Sequence, residues 1–288
     1  MDNLLVSFSG GETSGYMAQW LWNNMRFKYN MIFVFANTGE ENEETLEFVN
    51  KCGVEFGVKI YWVEAKVVHG ERVGTKHRLV DYATASRNGE PFEDVIKKYG
   101  IPNQAFPHCN RELKLAPIHN FIKEDIGWDD YYTAIGIRED EVDRVNKNRK
   151  KLKLIYPLIT DRPMNKQKIN FWWSQQSFRL NLKGYQGNCK TCWKKHKNKL
   201  YTIAQEDISK FENFKKWEQL YSHKVIESRS KDVPPPYYFF RGNKPVAEIL
   251  EKAKTFKGIV VDDSLDTNFQ SSLLDESCDI YSECGIDN

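Results

Sequence analysis

Residues 4–15, Leu-Leu-Val-Ser-Phe-Ser-Gly-Gly-Glu-Thr-Ser-Gly, constrain the fold more than any other stretch of the chain. A short apolar run from Leu4 to Phe8 breaks at Ser9-Gly10-Gly11. Thr13 and Ser14 then lead into helical spacing at Tyr16, Met17, Trp20 and Leu21. Strand, glycine turn and helix N-terminus make an anion-binding geometry. The first N–H groups of the helix have no intrahelical partner, and the macrodipole favours negative charge there. Gly10 and Gly11 let the main chain approach a phosphate, while Ser9, Thr13 and Ser14 add hydroxyl donors, with Ser7 just upstream. On this reading a valine at Gly10 fills phosphate space and removes binding with little loss of fold. No Gly-Lys-Ser/Thr follows, which excludes a Walker loop. The bland alternative is a serine–glycine turn before an ordinary capped helix.

The rest of the first half alternates strands and helices. Apolar runs at 4–8, 31–36, 59–63 and 131–137 are separated by helical patterns at 14–25, 41–52, 91–99 and 111–124. Such alternation predicts an α/β fold with a mostly parallel, Rossmann-like sheet and right-handed crossovers. Ligands in that architecture lie beyond the carboxyl ends of the strands. Ser9, Asn37-Thr38-Gly39 and Gly136-Ile137-Arg138 all fall at such ends. The Asn37 loop either closes a strand-to-helix turn or faces a nucleotide's base or ribose, and the two are compatible. After a last short strand that Tyr156-Pro157-Leu158 ends, the pattern becomes mainly helical, at 165–176 and 200–220. Asp232-Val233-Pro234-Pro235-Pro236 then interrupts any helix. We divide the chain into residues 1–160, a nucleotide-binding domain, and 161–288, a helical region with a cysteine-bearing tail.

At 288 residues and 40% hydrophobic content, the chain can bury a large core. A net charge of +2 does not announce a nucleic-acid binder, although two basic runs, Lys147 to Lys153 and Lys190 to Lys199, could flank a polyanion path. Each by itself also reads as a solvated loop. The opening lacks a signal-peptide pattern, and no run approaches a membrane span, so the expected compartment is the cytosol. Six cysteines in such a chain read as thiols or ligands, not disulfides. Cys189-Lys190-Thr191-Cys192 can chelate a metal or form a redox pair. Cys109, Cys278, Cys284 and His108 are available to complete a site, whereas Cys52 falls on a helix face and reads as core.

His108-Cys109-Asn110-Arg111-Glu112-Leu113-Lys114-Leu115-Ala116-Pro117 resembles the Cys-x-x-x-x-Lys-x-x-Pro element of the PAPS/APS (phosphoadenosine or adenosine phosphosulfate) reductase family. Ser9 to Ser14 resembles the PP-loop of N-type ATP pyrophosphatases, and Glu283-Cys284-Gly285-Ile286-Asp287 resembles the reductases' Glu-Cys-Gly-Leu-His tail. Asn37-Thr38-Gly39, residues 85–92, Gly136 to Glu141 and Gly187 to Lys194 resemble the PAPS-reductase-like PP-loop proteins common in phages and prophages. The likeness runs from Leu4 to Cys284. It implies a PP-loop core of the HUP type and an adenine nucleotide, ATP or PAPS, with Mg²⁺. His108 stands where that family's iron–sulfur branch has the first cysteine of a pair, and Asp287 replaces the tail histidine.

Arg87, Arg138 and Lys114 are candidate phosphate or sulfate ligands, because guanidinium grips oxyanions through paired hydrogen bonds and lysine supplies a point charge. Arg138 could instead pair with Glu139, Asp140 or Glu141, and Arg87 could be an exposed loop arginine. Cys109, Cys189, Cys192 and Cys284 are expected to converge on one 4Fe–4S cluster or zinc ion, with Cys278 or His108 as alternatives for the fourth ligand. The leading expectation is an ATP-using enzyme that adenylates an acceptor, releases pyrophosphate and supports sulfur transfer. Lys114, Arg138 and Cys284 are its catalytic candidates, and Gly136 joins the nucleotide-binding set. The alternatives are a sulfite-forming reductase with Cys284 as nucleophile and a thioredoxin-like reductant, or a non-catalytic nucleotide- or nucleic-acid-binding module with a structural metal. A homodimer is also considered; a membrane is not. The compartment implied is bacterial or phage-infected host cytosol.

Overall fold

The opening apolar run becomes β1 (Asp2–Phe8), which pairs in parallel with β2 (Tyr29–Asn37) on one side and β5 (Tyr132–Ala134) on the other. β3 (Ile60–Lys66) and β6 (Leu154–Ile155) extend the sheet in parallel, and β4 (Lys76–Val80) closes one edge antiparallel. The six strands run in the order β4-β3-β2-β1-β5-β6. In this computed structural model residues 1–70, 74–187, 189–225, 234–265 and 267 are described. The expected parallel Rossmann-like sheet is therefore present. β4 was not legible beforehand, because Lys-His-Arg-Leu-Val has no apolar run and lies at an exposed edge, as edge strands often do.

Side chains alternate across β1, so Leu4, Val6 and Phe8 enter one core and Leu5 the other. On the first face lie α1 (Glu12–Met25) and α2 (Glu43–Glu55), through Tyr16, Met17, Leu21, Leu46, Phe48 and Val49. Cys52 is fully buried there, the core residue its spacing implied. On the second face Ile118, Phe121 and Ile122 pack against Leu5, Val34 and Val63. They belong to a helical run over 108–126: α4 (His108–Asn110), a π turn (Arg111–Leu115), α5 (Ala116–Phe121) and a second π turn (Ile122–Ile126), reached after α3 (Glu90–Tyr99). The first π turn rotates Glu112, Leu113 and Lys114 inward.

Beyond β6 come α6 (Pro157–Thr160), α7 (Lys166–Ser174), α8 (Lys197–Glu206), α9 (Glu212–Tyr221) and α10 (Val246–Thr255). Asn165 caps α7 by accepting from the Lys168 N–H. Nine residues make a marginal helix alone, so Trp173 matters more: fully buried against Phe48 and Phe178, it contributes about 3 kcal/mol by area. The single helix expected over 200–220 is two, because Asp207 leaves helical geometry and caps a 3-10 turn. A further core joins Phe92, Val95, Ile96 and Leu113 of the first half to Phe214, Trp217, Phe239 and Ile249 of the second.

Candidate functional site

The strand order reverses between β1 and β5, and beyond their carboxyl ends lies a cavity of ≈ 150 Å³. Ser9, Gly10, Gly11, Glu12 and Thr13 form one wall, with Gly136 and Arg138 beside them. The loop is held by Ser14, whose hydroxyl donates to the Gly11 carbonyl at 2.8 Å and accepts from the Ser9 N–H at 3.2 Å. Ser14 is buried and shapes the loop; it does not line the cavity. Ser7 is also buried, within β1, and stands off the cavity wall.

The two glycines differ, and this corrects the expectation for Gly10. Its φ is +85°, and a Cβ would lie 2.7 Å from Thr45 Cγ2 and 3.2 Å from Phe35 Cε2. Gly10 thus faces the core, where valine would break packing and not merely occupy ligand space. A Cβ on Gly11 has as its nearest neighbour Ser9 Oγ at 3.9 Å. Gly11 is the position that keeps the cavity open. Gly136 has a third role: its Cα lets β5 approach the start of α1, where a Cβ would come within 3.2 Å of Ser14 Cα.

Arg138 is buried at the cavity's edge. Its Nε donates to Asp140 at 3.0 Å, one terminal nitrogen lies 3.4 Å from Thr13 Oγ1, and Glu141 sits 3.6 Å from the other. The ion pair weighed against ligand binding therefore exists, but inside the site, where it also aims the guanidinium at Thr13. Arg87 is elsewhere. It forks Glu43 at 2.7 and 3.0 Å and donates to the carbonyls of Ala85 and Tyr82, and it does not line the cavity. The Arg87 hydrogen bond holds the Glu43 carboxyl below its ordinary pKa.

The opposite wall comes from the second half: Lys166 and Asn170 of α7, Lys183, Tyr185, Gly187, Lys195, Lys199 and Ser264. Glu12 ties the walls together. Arg179 forks its carboxylate at 2.9 Å twice and also donates to the Ser264 carbonyl. Burial raises the Glu12 pKa despite that pairing. Asp263 accepts from Lys166 at 3.4 Å, and its carbonyl accepts from Asn170 at 2.9 Å. Lys195 is the most buried lysine of the cavity, and burial pushes its ammonium down to about 8. The Lys190–Lys199 run thus turns part of its charge inward, whereas residues 147–152 are exposed.

A second, smaller pocket of ≈ 20 Å³ lies at the end of β2. Cys109, Cys189 and Cys192 all line it, with Thr38, Lys114, Leu113, Trp193 and Phe214. The Cys189 segment docks on the β2 loop: Glu41 and Cys189 form a bridge, and the Lys190 N–H donates to the Glu40 carbonyl at 2.8 Å. Cys189 Sγ is 3.5 Å from Thr38 Oγ1 and 3.9 Å from Glu41 Oε1, and burial followed by Glu41's charge raises its thiol pKa. Glu40 is buried beside them, its carboxyl pushed up to about 7 by desolvation against the Asn213 hydrogen bond. Asn37 donates to Glu64 and Ser86 and accepts from the Gly39 N–H, so this loop is bound inward and lies off the larger cavity. His108 is turned toward the Gly100 carbonyl at 3.1 Å.

Three of the expected four sulfur ligands therefore share one pocket. Among the described residues no three Cys, His, Asp or Glu side chains converge closely enough to hold a metal ion. Cys284 and Cys278 lie outside the described residues. The donors fit a thiolate centre in kind, and Lys114 adds positive charge beside them. Sequence reasoning missed Glu12, Arg179, Lys166, Lys183 and Ser264 as parts of the larger site. Glu12 was within the loop motif itself; the others had no local signal, being brought in by α7 and the segment after it.

Residues 3–156 match the phosphoadenosine phosphosulfate reductase domain. The chain is 27% identical over 286 residues to the uncharacterized nin region protein ORF290 of Escherichia phage lambda, covering 96% of this chain and 94% of that protein. It is 31% identical over 147 residues to an uncharacterized protein of Methanocaldococcus jannaschii, covering 51% of this chain and 25% of that one. Among solved structures, the U34-tRNA thiolase NcsA from Methanococcus maripaludis with its 4Fe–4S cluster aligns over 86% of this chain and 80% of that one, at 16% identity and a TM-score of 0.40. No helix among the described residues is long and apolar enough to cross a membrane.

Proposed function

Since the chain belongs to the phosphoadenosine phosphosulfate reductase domain family, we propose that it binds an adenine nucleotide in the cavity at the β1–β5 switch point and uses ATP to adenylate an acceptor. The carrying observation is the cavity itself, where a glycine-lined helix N-terminus faces Arg138 and lysines from the second half. On this reading the phosphates lie against the backbone of Ser9 to Thr13. An acceptor oxygen attacks the α-phosphorus, the bond to the bridging oxygen breaks, and pyrophosphate leaves as the acceptor proton passes to solvent. Arg138 neutralises charge that grows on the phosphate oxygens, and the loop N–H groups hold the chain in line. Mg²⁺ bound to the nucleotide would supply further charge neutralisation.

We place the thiol pocket in sulfur chemistry or in fixing the second half on the first. Cys109, Cys189 and Cys192 would hold a zinc ion or a 4Fe–4S cluster together with a tail cysteine. Lys114 stands beside the thiols, which supports a role there over one on the nucleotide phosphates.

The test is to incubate the protein separately with ATP and with PAPS. Pyrophosphate release from ATP supports the proposal. Sulfite from PAPS, dependent on Cys284 and a dithiol reductant, would replace it with the reductase reading. Binding of neither nucleotide would leave only a non-catalytic module.

A further inference from the structure

Lys195 is buried to 6% exposure, deeper than the other lysines of the cavity it lines. Among the described residues its ammonium has one hydrogen-bond acceptor, the Gly187 carbonyl. An ammonium carries three N–H donors, and burying one with a single neutral acceptor is costly unless an anion pairs with it. Its backbone is fixed as firmly as its head: the Lys195 N–H donates to the Cys192 carbonyl at 3.0 Å. The remaining lining points the same way. Arg138, Lys166, Lys183 and Lys199 also border the cavity, against the carboxylates of Glu12 and Glu141. Glu12 is taken by Arg179, and Glu141 by Arg138 and Arg144.

We infer that Lys195 is a polyphosphate-contacting residue, taking up the terminal phosphates of the nucleotide, and the pyrophosphate they become, from the wall opposite Ser9 to Thr13. The inference rests on the nucleotide reading of this cavity and adds a residue and a ligand class to it. A monophosphate held at the glycine loop needs no cation on the far wall; a chain of phosphates does. The same residue joins the two pockets, because the turn that carries Lys195 begins at Cys192. The competing account makes Lys195 only a countercharge for the nearby Cys189 and Cys192 sulfurs.

Calorimetric binding of inorganic pyrophosphate, ATP and AMP to the full chain separates these accounts. Lys195→Met should weaken pyrophosphate and ATP by about 10- to 100-fold, the loss of a charged hydrogen bond, and leave AMP within about twofold. Its melting temperature without ligand should be unchanged or higher, since a poorly compensated buried charge is gone. Lys195→Gln keeps an amide donor for Gly187 while removing the charge, and serves if the methionine variant does not fold; the same selective loss is expected. Equal affinities in variant and wild type would overturn the inference and leave the nucleotide reading standing. Equal weakening of all three ligands, or loss of bound metal with pyrophosphate affinity intact, would assign Lys195 to structure or to the sulfurs. Wild-type protein that binds neither ATP nor pyrophosphate would overturn the nucleotide reading, and this inference with it.

Discussion

The cavity at the switch point and the pocket at the end of β2 stand on one edge of one sheet, yet they are built oppositely. The first is ≈ 150 Å³, glycine-lined and ringed by cations drawn from both halves of the chain. The second is ≈ 20 Å³ and packed with Phe92, Leu113, Trp193 and Phe214 around three cysteines. One leaves room for a ligand by omitting side chains; the other leaves little beyond what its thiols could bind directly. A single segment serves both, with Cys189 and Cys192 in the small pocket and Lys195 and Lys199 in the large one. The difference teaches that burial has separate purposes here. On the proposed reading it strengthens the pull of the cavity's cations on a bound anion, and in the pocket it keeps water from the Cys189 thiol.

The sharpest way to break this comparison is at the two adjacent glycines. Gly10→Val should cost about 3–5 kcal/mol through its positive φ and the clash with Thr45, a large share of a domain's stability and a marked fall in melting temperature. Gly11→Val should melt close to wild type yet lose at least about 100-fold in ATP affinity, since its side chain enters open cavity. Thermal melts beside calorimetry read both; a Gly10→Val protein that melts at the wild-type temperature would show that the loop does not pack as described.

Glu40 tests the dryness of the thiol side. With its carboxyl pushed up to about 7 from 4.5, the folded state holds the proton more tightly than the unfolded state does. Its contribution to stability is therefore full below about 4.5 and is lost as pH rises through 7. Glu40→Gln has no such loss, so its stability relative to wild type should climb by on the order of 2–3 kcal/mol across that window. Denaturant melts at pH 4.5, 6 and 7.5 would show it, and a flat difference would mean that water reaches Glu40.

The smallest effect is expected at Arg138. Arg138→Lys keeps the charge but loses the planar fork that meets Asp140 and faces Thr13, so nucleotide affinity should fall about fivefold. Wild-type affinity would return Arg138 to a purely ion-pairing role.

Much of the parallel sheet was legible because β1, β2 and β3 are covered on both faces, and continuous apolar runs follow from that. The glycine loop was legible for a similar reason: strand, turn and helix are contiguous, so one short stretch carries the geometry. The CxxC pair could be seen, and its neighbourhood with Cys109 expected, but not its bridge to Glu41. The role of Gly10 was misread because sequence shows that a side chain is absent, not which way it would have pointed. Arg87 looked like a ligand by type and position, and only the fold shows its donors spent on Glu43 and two carbonyls.

What the sequence by itself determined is the local grammar: the alternation that makes an α/β sheet, the loop after β1 and the cysteines available as ligands. Periodicity and turn chemistry act over a few residues, so a linear reading reaches them. Tertiary structure alone decided which cations surround the loop. Lys166, Arg179, Lys183 and Lys195 lie more than 150 positions from Ser9 in sequence and meet it only because Trp173 and its neighbours dock α7 on the first core. That docking is driven by non-directional burial of apolar area, which leaves no motif at the charged positions it brings together.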